Sequence, residues 1–421
     1  MPPSASIAAD QLRQVLEVSR TLAGTSDLDL LLSRIAGAAT SMLHCERASI
    51  FLHDVASDQL WTKVALGASE IRVPADAGIV GHVFRSNSVI HVARPYEDPR
   101  FNREPDRRSG FVTRNLLAAP MVDLEHKPIG VIQAINKDDG TFADSDEQLI
   151  QLLADHAGVA VQRYHLQQEA VDAMALRREM DLARRVQEAL IPKTPPEVTG
   201  LSAVGWTRPA SMTGGDCYDL WKTADGRLGI FLGDASGHGI GPALIVSQTR
   251  TLIRAMCDRV TDPVELLACA NSRLSEDLGP GQFVTALVAL IASDGVVNWC
   301  SAGHGPILLW PGANDGVKML EPHATPLGIV REFEAENVNP AHLEPGGTFA
   351  ILSDGIFEAR NATGELVGIE SIIACIEGSR FGGPSEQLKA IQDTVIRWQG
   401  KLEPTDDQTA VIVMRGSPHK P

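Results

Sequence analysis

From Asp146 to Leu190 the chain contains no proline and a single glycine, Gly158, in a stretch rich in Ala, Gln, Arg, Glu and Leu. Such residues lose little side-chain freedom in a helix, and nothing in the run interrupts the backbone ladder, so one long helix is expected. The segment IPKTPPEVTG, residues 191–200, then ends it, because proline lacks the amide donor and clashes with the preceding turn. A helix of that length bounded so sharply splits the 421 residues into an N-terminal domain, a connector and a C-terminal domain. That agrees with roughly 100–200 residues per domain. The expected divisions are 10–163, 164–194 and 195–416.

The flanking halves differ in period. Apolar residues at helical spacing run from Ala9 to Leu43, with Ser26 placed as an N-cap between two helices. After Ala48, the segments ASIFLHD, LWTKVAL, SVIHVA, LLAAPMVD and PIGVIQAIN are short and β-branched, and they read as one antiparallel sheet. Ser145 and Gln148 have the spacing of a capping box at the start of the long helix. Along that helix Val161, Tyr164, Val171, Ala175, Leu182 and Val186 recur at roughly heptad spacing, interrupted by Gln168, Arg178 and Arg185. A solvated linker and a parallel dimer seam are both consistent with this. In the C-terminal half, strands LSAVGWTRPA, CYDLWKT and RLGIFLGD precede two helices, 242–259 and 262–278. Further strands, a helix at 385–398 and the strand TAVIVMR follow. The order predicts an α+β layer fold with helices packed outside a β-sandwich.

A net charge of −16 leaves no broad basic surface for nucleic acid. The six cysteines are scattered without a C-x-x-C pair, which argues against zinc and a redox couple. No long apolar run occurs and the N-terminus has no secretory pattern, so a cytoplasmic chain with no membrane partner is expected.

Four acidic motifs share one design: an Asp beside Gly or another small residue at the end of a strand-like run. They are Gly-Gly-Asp216, Gly-Asp234-Ala-Ser-Gly-His-Gly, Ser-Asp354-Gly and Thr-Asp406-Asp407-Gln-Thr. One such Asp is ordinarily a turn residue. Four converging would form an all-oxygen site for hard cations, magnesium or manganese, with glycine admitting close backbone approach.

With VQEALIP, TRPA…GGDCYDL, GDASGHGIGPAL, FVTALVAL, SAGHGPILL, PLGI, SDGIFEARN and DDQTAVIV in that order, residues 195–416 resemble the metal-dependent protein phosphatases of the phosphatase 2C class. The likeness is to the bacterial branch of stress-regulator and sporulation phosphatases. It implies a β-sandwich flanked by helix pairs and a dinuclear metal site. Asp234 would bridge both ions and the Ala235 carbonyl would assist. Asp354 and Asp406 would join Asp234 on one ion, and Asp216 would serve the other, partly through water. Two dications about 4 Å apart lower the pKa of a shared water for in-line attack on phosphorus. Asp219 and Asp407 fall one step outside and are expected to hydrogen-bond around the site. Two features depart from the eukaryotic pattern: Ser236 stands where a proposed general-acid His would be, and the phosphate-gripping Arg has only Arg208 as a candidate. His238 and His304, in Gly-flanked loops, are expected to be structural.

Residues 27–163 resemble a GAF domain, through GIVGHVFRSN, DPRFN, AAPMVD and IGVIQAINK. Asn136-Lys137…Phe142…Asp146-Glu147 fits the motif of the cyclic-nucleotide-binding members, which implies a nucleotide site using Asn136, Lys137 and Asp146. A Lys137–Asp146 ion pair that merely fixes the closing helix is the competing reading. Cys45, the domain's only Cys, lies at the first strand, away from where a bilin would attach. The combined expectation is hydrolysis of phosphoserine or phosphothreonine on a protein, a STAS-type anti-anti-sigma regulator, by a homodimer under GAF control. The alternative is a catalytically inactive phosphatase fold that sequesters a partner.

Overall fold

The computed structural model describes residues 15–17, 20, 24, 27–62 and 71–416. Its contacts divide the chain into two compact units, Met1–Met174 and Ala175–Pro421.

In the first unit, α1 (Leu28–Leu43) begins where the Asp27 carboxylate accepts the Leu30 N–H at 2.7 Å. Asp27, and not Ser26, is therefore the cap; Ser26 and most of the preceding helical stretch lie outside the described residues. An aspartate places an acceptor over the helix start as readily as a serine does, and it adds negative charge there. The unit continues through β1 (Cys45–Asp54), β2 (Gln59–Thr62), β3 (Ile71–Pro74), α2 (Gly78–Ser86), β4 (Ile90–Val92), α3 (Glu104–Ser109), β5 (Leu116–Val122) and β6 (Pro128–Lys137). The strands form one antiparallel sheet, ordered β3-β2-β1-β6-β5-β4. Strand parity divides its faces: Leu117, Ala119 and Met121 enter a core with α1, whereas Leu116 and Ala118 face the core under α2.

Helix α4 (Asp144–Leu190) runs 47 residues without a break. Ser145 and Gln148 both lie inside the helix and form no box; only the back-reaching half of one is made, by the Asp146 carboxylate, which accepts the Ala143 N–H at 2.9 Å. The heptad reading also needs correction at its start. Val161 is buried in the first unit's core and Tyr164 packs against it, so only Val171, Ala175, Leu182 and Val186 of that series are exposed.

The second unit contains β7 (Leu201–Arg208), β8 (Asp216–Lys222), β9 (Leu228–Ala235), α5 (Ile240–Met256), α6 (Pro263–Asp277), β10 (Val284–Ile291), β11 (Val296–Ala302) and β12 (Ile307–Trp310). It continues with β13 (Lys318–Leu320), β14 (Ala341–His342), β15 (Thr348–Leu352), α7 (Asp354–Phe357), α8 (Ile369–Gly378), α9 (Pro384–Gln399) and β16 (Gln408–Arg415). Two five-stranded sheets, β14-β11-β10-β9-β8 and β13-β12-β15-β16-β7, stack as a sandwich. Tyr218, Leu220, Ile230 and Leu232 meet Phe349, Ile351, Val411 and Val413 between them. The opposite faces are covered by α5 with α6 and by α8 with α9. Each fully buried leucine or valine of these layers contributes roughly 1.5–3 kcal/mol. The strand ends can therefore be held rigidly enough to carry a site.

Candidate functional site

Asp216 is the first residue of β8 and stands directly opposite Asp234, the penultimate residue of β9. In the facing sheet, Asp354 follows the end of β15 and opens α7, while Asp406 lies two residues before β16. The antiparallel order puts all four at the same end of the sandwich, two from each layer. Their electrostatics record the proximity. Burial and then the charges of Asp354 and Asp406 push the Asp234 carboxyl up to about 7. Burial and then Asp234 hold Asp216 well above the ordinary carboxylate range, against the Thr409 and Ser353 hydroxyls. Burial and then Asp406 raise Asp354.

Backbone approach at this end leaves no room for side chains. A Cβ at Gly215 would lie 2.8 Å from the Ala235 carbonyl oxygen, and one at Gly355 would lie 2.1 Å from that of Asp407. Asp407 is the organiser: its carboxylate accepts the Ala210 N–H at 2.7 Å and the N–H groups of Gly215 and Asp216. It thus ties the end of β16 to the turn that enters β8, and those three donors partly offset the burial that raises its pKa.

Among the described residues, no three acidic, histidine or cysteine side chains are gathered closely enough to form a closed metal cage. The four carboxylates share one end of the sandwich instead, near enough for their charges to raise one another's pKa. The donor set still fits a hard dication. It is all oxygen, and Asp216 Oδ2 is buried with no hydrogen-bond partner. A cavity of ≈ 700 Å³ elsewhere in this unit is lined by Trp299, Met319, His323 and His342, and by none of the four aspartates.

Comparison with known proteins addresses the two halves of the chain separately. The family model for Stage II sporulation protein E matches residues 224–416, and the GAF domain model matches residues 27–161. The chain thus joins a GAF domain to a domain of the Stage II sporulation protein E type, a phosphatase 2C-like phosphatase domain. Asp234, Asp354 and Asp406 fall within the matched region, and Asp216 precedes it. Phosphoserine phosphatase RsbU of Bacillus subtilis is 25% identical over 241 residues, covering 57% of this chain and 71% of that protein. The probable 3',5'-cyclic phosphodiesterase pde-5 of Caenorhabditis elegans is 28% identical over 162 residues, 35% of this chain, and the match spans only 22% of its own length. The SiaA-PP2C domain of Pseudomonas aeruginosa shares the fold, with a TM-score of 0.51 at 20% identity over 59% of this chain and all of that domain.

Around the four aspartates, the neighbouring residues have separate partners. Asp219, three residues along β8 from Asp216, faces the helix layer. There it pairs with Arg250 at 2.7 Å and Arg254 at 3.2 Å, both on α5, and so does not hydrogen-bond around the carboxylates. Ser236 fastens its loop through the Phe283 N–H and the Gly281 carbonyl. His304 is buried, which pushes its pKa down to about 4 and keeps the ring neutral, and Nδ1 meets the Thr285 hydroxyl at 3.0 Å. His238 is exposed on the Gly-flanked loop after β9. Arg208 lies opposite Gln408 and pairs with Glu403 at 3.6 Å. Ser353, whose hydroxyl donates to the Asp407 carbonyl at 3.1 Å and accepts the Thr409 N–H at 2.8 Å, and Thr409, whose hydroxyl pairs with that of Thr207 at 2.8 Å, carry no role in the sequence reading. Their only signal is that each sits beside a motif aspartate or its neighbour.

In the GAF domain the motif residues meet one another. Lys137 Nζ pairs with Asp146 at 2.8 Å and donates to the Leu43 carbonyl at 2.9 Å. Asn136 is fully buried: its amide donates to Glu46 and the Val112 carbonyl, and its oxygen accepts the Arg114 N–H. Together they fasten β6 to α1, α4 and the loop before β5.

Proposed function

We propose that the chain hydrolyses phosphoserine or phosphothreonine on a protein substrate, using Asp216, Asp234, Asp354 and Asp406, with the Ala235 carbonyl, to hold two manganese or magnesium ions. The observation that carries this reading is the convergence of four uncompensated carboxylates from both sheets, one with a buried oxygen lacking any partner. Bound dications would neutralise phosphoryl oxygens and activate a water for in-line attack. The protein's own work is to fix those carboxylates: Asp407 holds the turn into β8, and the register of β8 on β9 sets Asp216 against Asp234.

The substrate is proposed to be a STAS-type regulator, from the likeness to the stress-response branch. The domain partition is proposed as 10–163, 164–194 and 195–416. The exposed Val171, Leu182 and Val186 support a parallel homodimer formed through the GAF domain and α4. A cyclic nucleotide is proposed as the GAF ligand, on the Asn136–Glu147 motif and the likeness to cyclic phosphodiesterases. The location is proposed to be cytoplasmic; among the described residues no helix is long and apolar enough to cross a membrane. The deciding assay is release of phosphate from a phosphoserine peptide by the full chain in manganese, with and without cyclic AMP or cyclic GMP. Manganese-dependent release that stops in excess chelator is expected. Absence of release from phosphoserine and phosphothreonine peptides alike would remove the enzymatic reading.

A further inference from the structure

The turn that delivers Asp216 is Gly214-Gly215, two residues with the widest backbone freedom in the chain and hence the largest entropy to lose when the site is ordered. Its fixation comes from outside. On one side stands Asp407, bonded to the Gly215 and Asp216 amides. On the other stands Gln187, in the last turn of α4. Its Nε2 donates to the Gly214 carbonyl at 2.6 Å and its Oε1 accepts the Gly214 N–H at 3.2 Å, a reciprocal pair bridging 27 residues of sequence. The same Nε2 lies 3.5 Å from the Asp216 carbonyl. A side-chain amide used this way mimics a neighbouring strand. The helix end that carries it is anchored by Ile191, which packs against both the inter-sheet core and the core under α5 and α6. Gly214 has no slack to make the contact elsewhere, because a Cβ there would already lie 2.7 Å from the Asp407 carboxylate.

We propose that Gln187 is a positioning residue whose amide latches the Gly214 backbone and so sets how firmly Asp216 is presented to divalent cations. The last turn of α4 thereby becomes an input to the site: a rotation or shift of that turn breaks two hydrogen bonds to the loop that carries one metal ligand. This rests on the phosphatase reading for its consequence, although the latch itself concerns cation affinity.

The test uses the full chain, with manganese titrated calorimetrically and p-nitrophenyl phosphate as a small substrate that needs no docking surface. For Gln187→Ala, manganese affinity should fall about tenfold, the worth of two neutral hydrogen bonds. Turnover at saturating manganese should stay within about twofold and the unfolding midpoint should fall by only a few degrees, since alanine suits a helix and the loss is confined to the two bonds to Gly214. Amide exchange at Gly214 should accelerate. Gln187→Glu keeps the acceptor for the Gly214 N–H and loses the donor to its carbonyl, so its affinity should fall between the two. Unchanged manganese affinity in Gln187→Ala, or a loss of turnover that excess manganese does not restore, overturns the proposal. If the unmodified protein binds manganese yet hydrolyses no phosphomonoester, the phosphatase reading fails while the affinity ratio still decides the latch. If it binds no manganese, both fail.

Discussion

The two halves of the chain each gather charged and polar side chains at a strand end, and they treat them in opposite ways. In the GAF domain Lys137 and Asp146 neutralise each other, and the remaining bonds go to Leu43 and Ala143. In the phosphatase domain, four aspartates share one end of the sandwich; Arg250 and Arg254 stand close by but are taken up by Asp219 on the other face of β8. Burial of charge is costly unless it is paired. A cluster that stays unpaired is destabilising for the fold alone, and its persistence points to an ion. A cluster that is satisfied needs only the fold.

The largest expected effect breaks the comparison on the phosphatase side. Asp234→Asn removes a charge shared by both proposed ions and should cost on the order of 10³-fold in turnover, several kcal/mol at 1.36 kcal/mol per tenfold. Without metal it should unfold at higher temperature than the unmodified chain, because the mutual repulsion is relieved. Near-normal turnover, measured with the phosphoserine peptide, would sink the metal assignment.

On the GAF side the opposite holds. Lys137→Ala leaves Asp146 buried without its cation and should destabilise the domain by about 3 kcal/mol, read from denaturant unfolding. The pair can be replaced, however. Lys137→Met with Asp146→Leu should recover most of that, leaving about 1 kcal/mol for the lost helix-start bond to Ala143. A double variant as unstable as the single one would mean that the charges do more than fasten α4.

Asp407 lies between these extremes, being a positioning acid with three backbone donors. Asp407→Asn keeps one acceptor oxygen and loses the charge, so manganese affinity should weaken about 10–100-fold, as for other groups that orient metal ligands. Turnover restored by high manganese is the expected signature, and an unchanged metal titration would show that the turn into β8 holds itself.

How much of this was legible in the sequence follows from the range of the signals. The long helix, its proline stop and the acidic strand ends are local patterns, and their reading as two domains with four candidate aspartates needed no tertiary knowledge. Asp219 was placed around the site because it is close in sequence, but three residues along a strand reverse the face, and only the packing of Cys217 and Trp221 under α5 reveals which face is which. Gln187 within VQEALIP carries no local signal of a role, because its partner Gly214 is brought to it by the fold. The cap at Asp27 instead of Ser26 is a one-residue slip between equivalent polar residues, and the helix start at Ala143 instead of Ser145 rests on a backbone N–H to Asp146 that no side-chain propensity marks.

The smallest expected effect sharpens the comparison through pH. Without metal, burial and the neighbouring Asp354 and Asp406 hold the Asp234 carboxyl at about 7, above its ordinary 3.8. Between those values the native state holds more protons than the unfolded chain, so stability falls as pH rises through the window and is regained as pH is lowered toward 5. In the GAF domain, Asn136 and then Arg114 lower the Glu46 carboxyl. That contribution is complete above the ordinary carboxylate range and is lost only when the pH drops through it, so Glu46 changes little between pH 7 and 5. In chelator, therefore, the Asp234 contribution to the phosphatase transition should grow by about 1 kcal/mol per pH unit on going from pH 7 to pH 5. Buried neutral His304, held down at about 4, opposes it in the same window, so the Asp234 part is read as the difference between the unmodified chain and Asp234→Asn, against a flat Glu46 contribution in the GAF domain. Saturating manganese should abolish or reverse the slope, since a bound dication favours the ionised carboxylates and protons then compete with it. Scanning calorimetry of the full chain identifies the phosphatase transition as the one that manganese raises. If the unmodified chain and Asp234→Asn instead change by the same amount between pH 7 and 5 in chelator, the carboxylates are not the uncompensated cluster on which the contrast between the two halves depends.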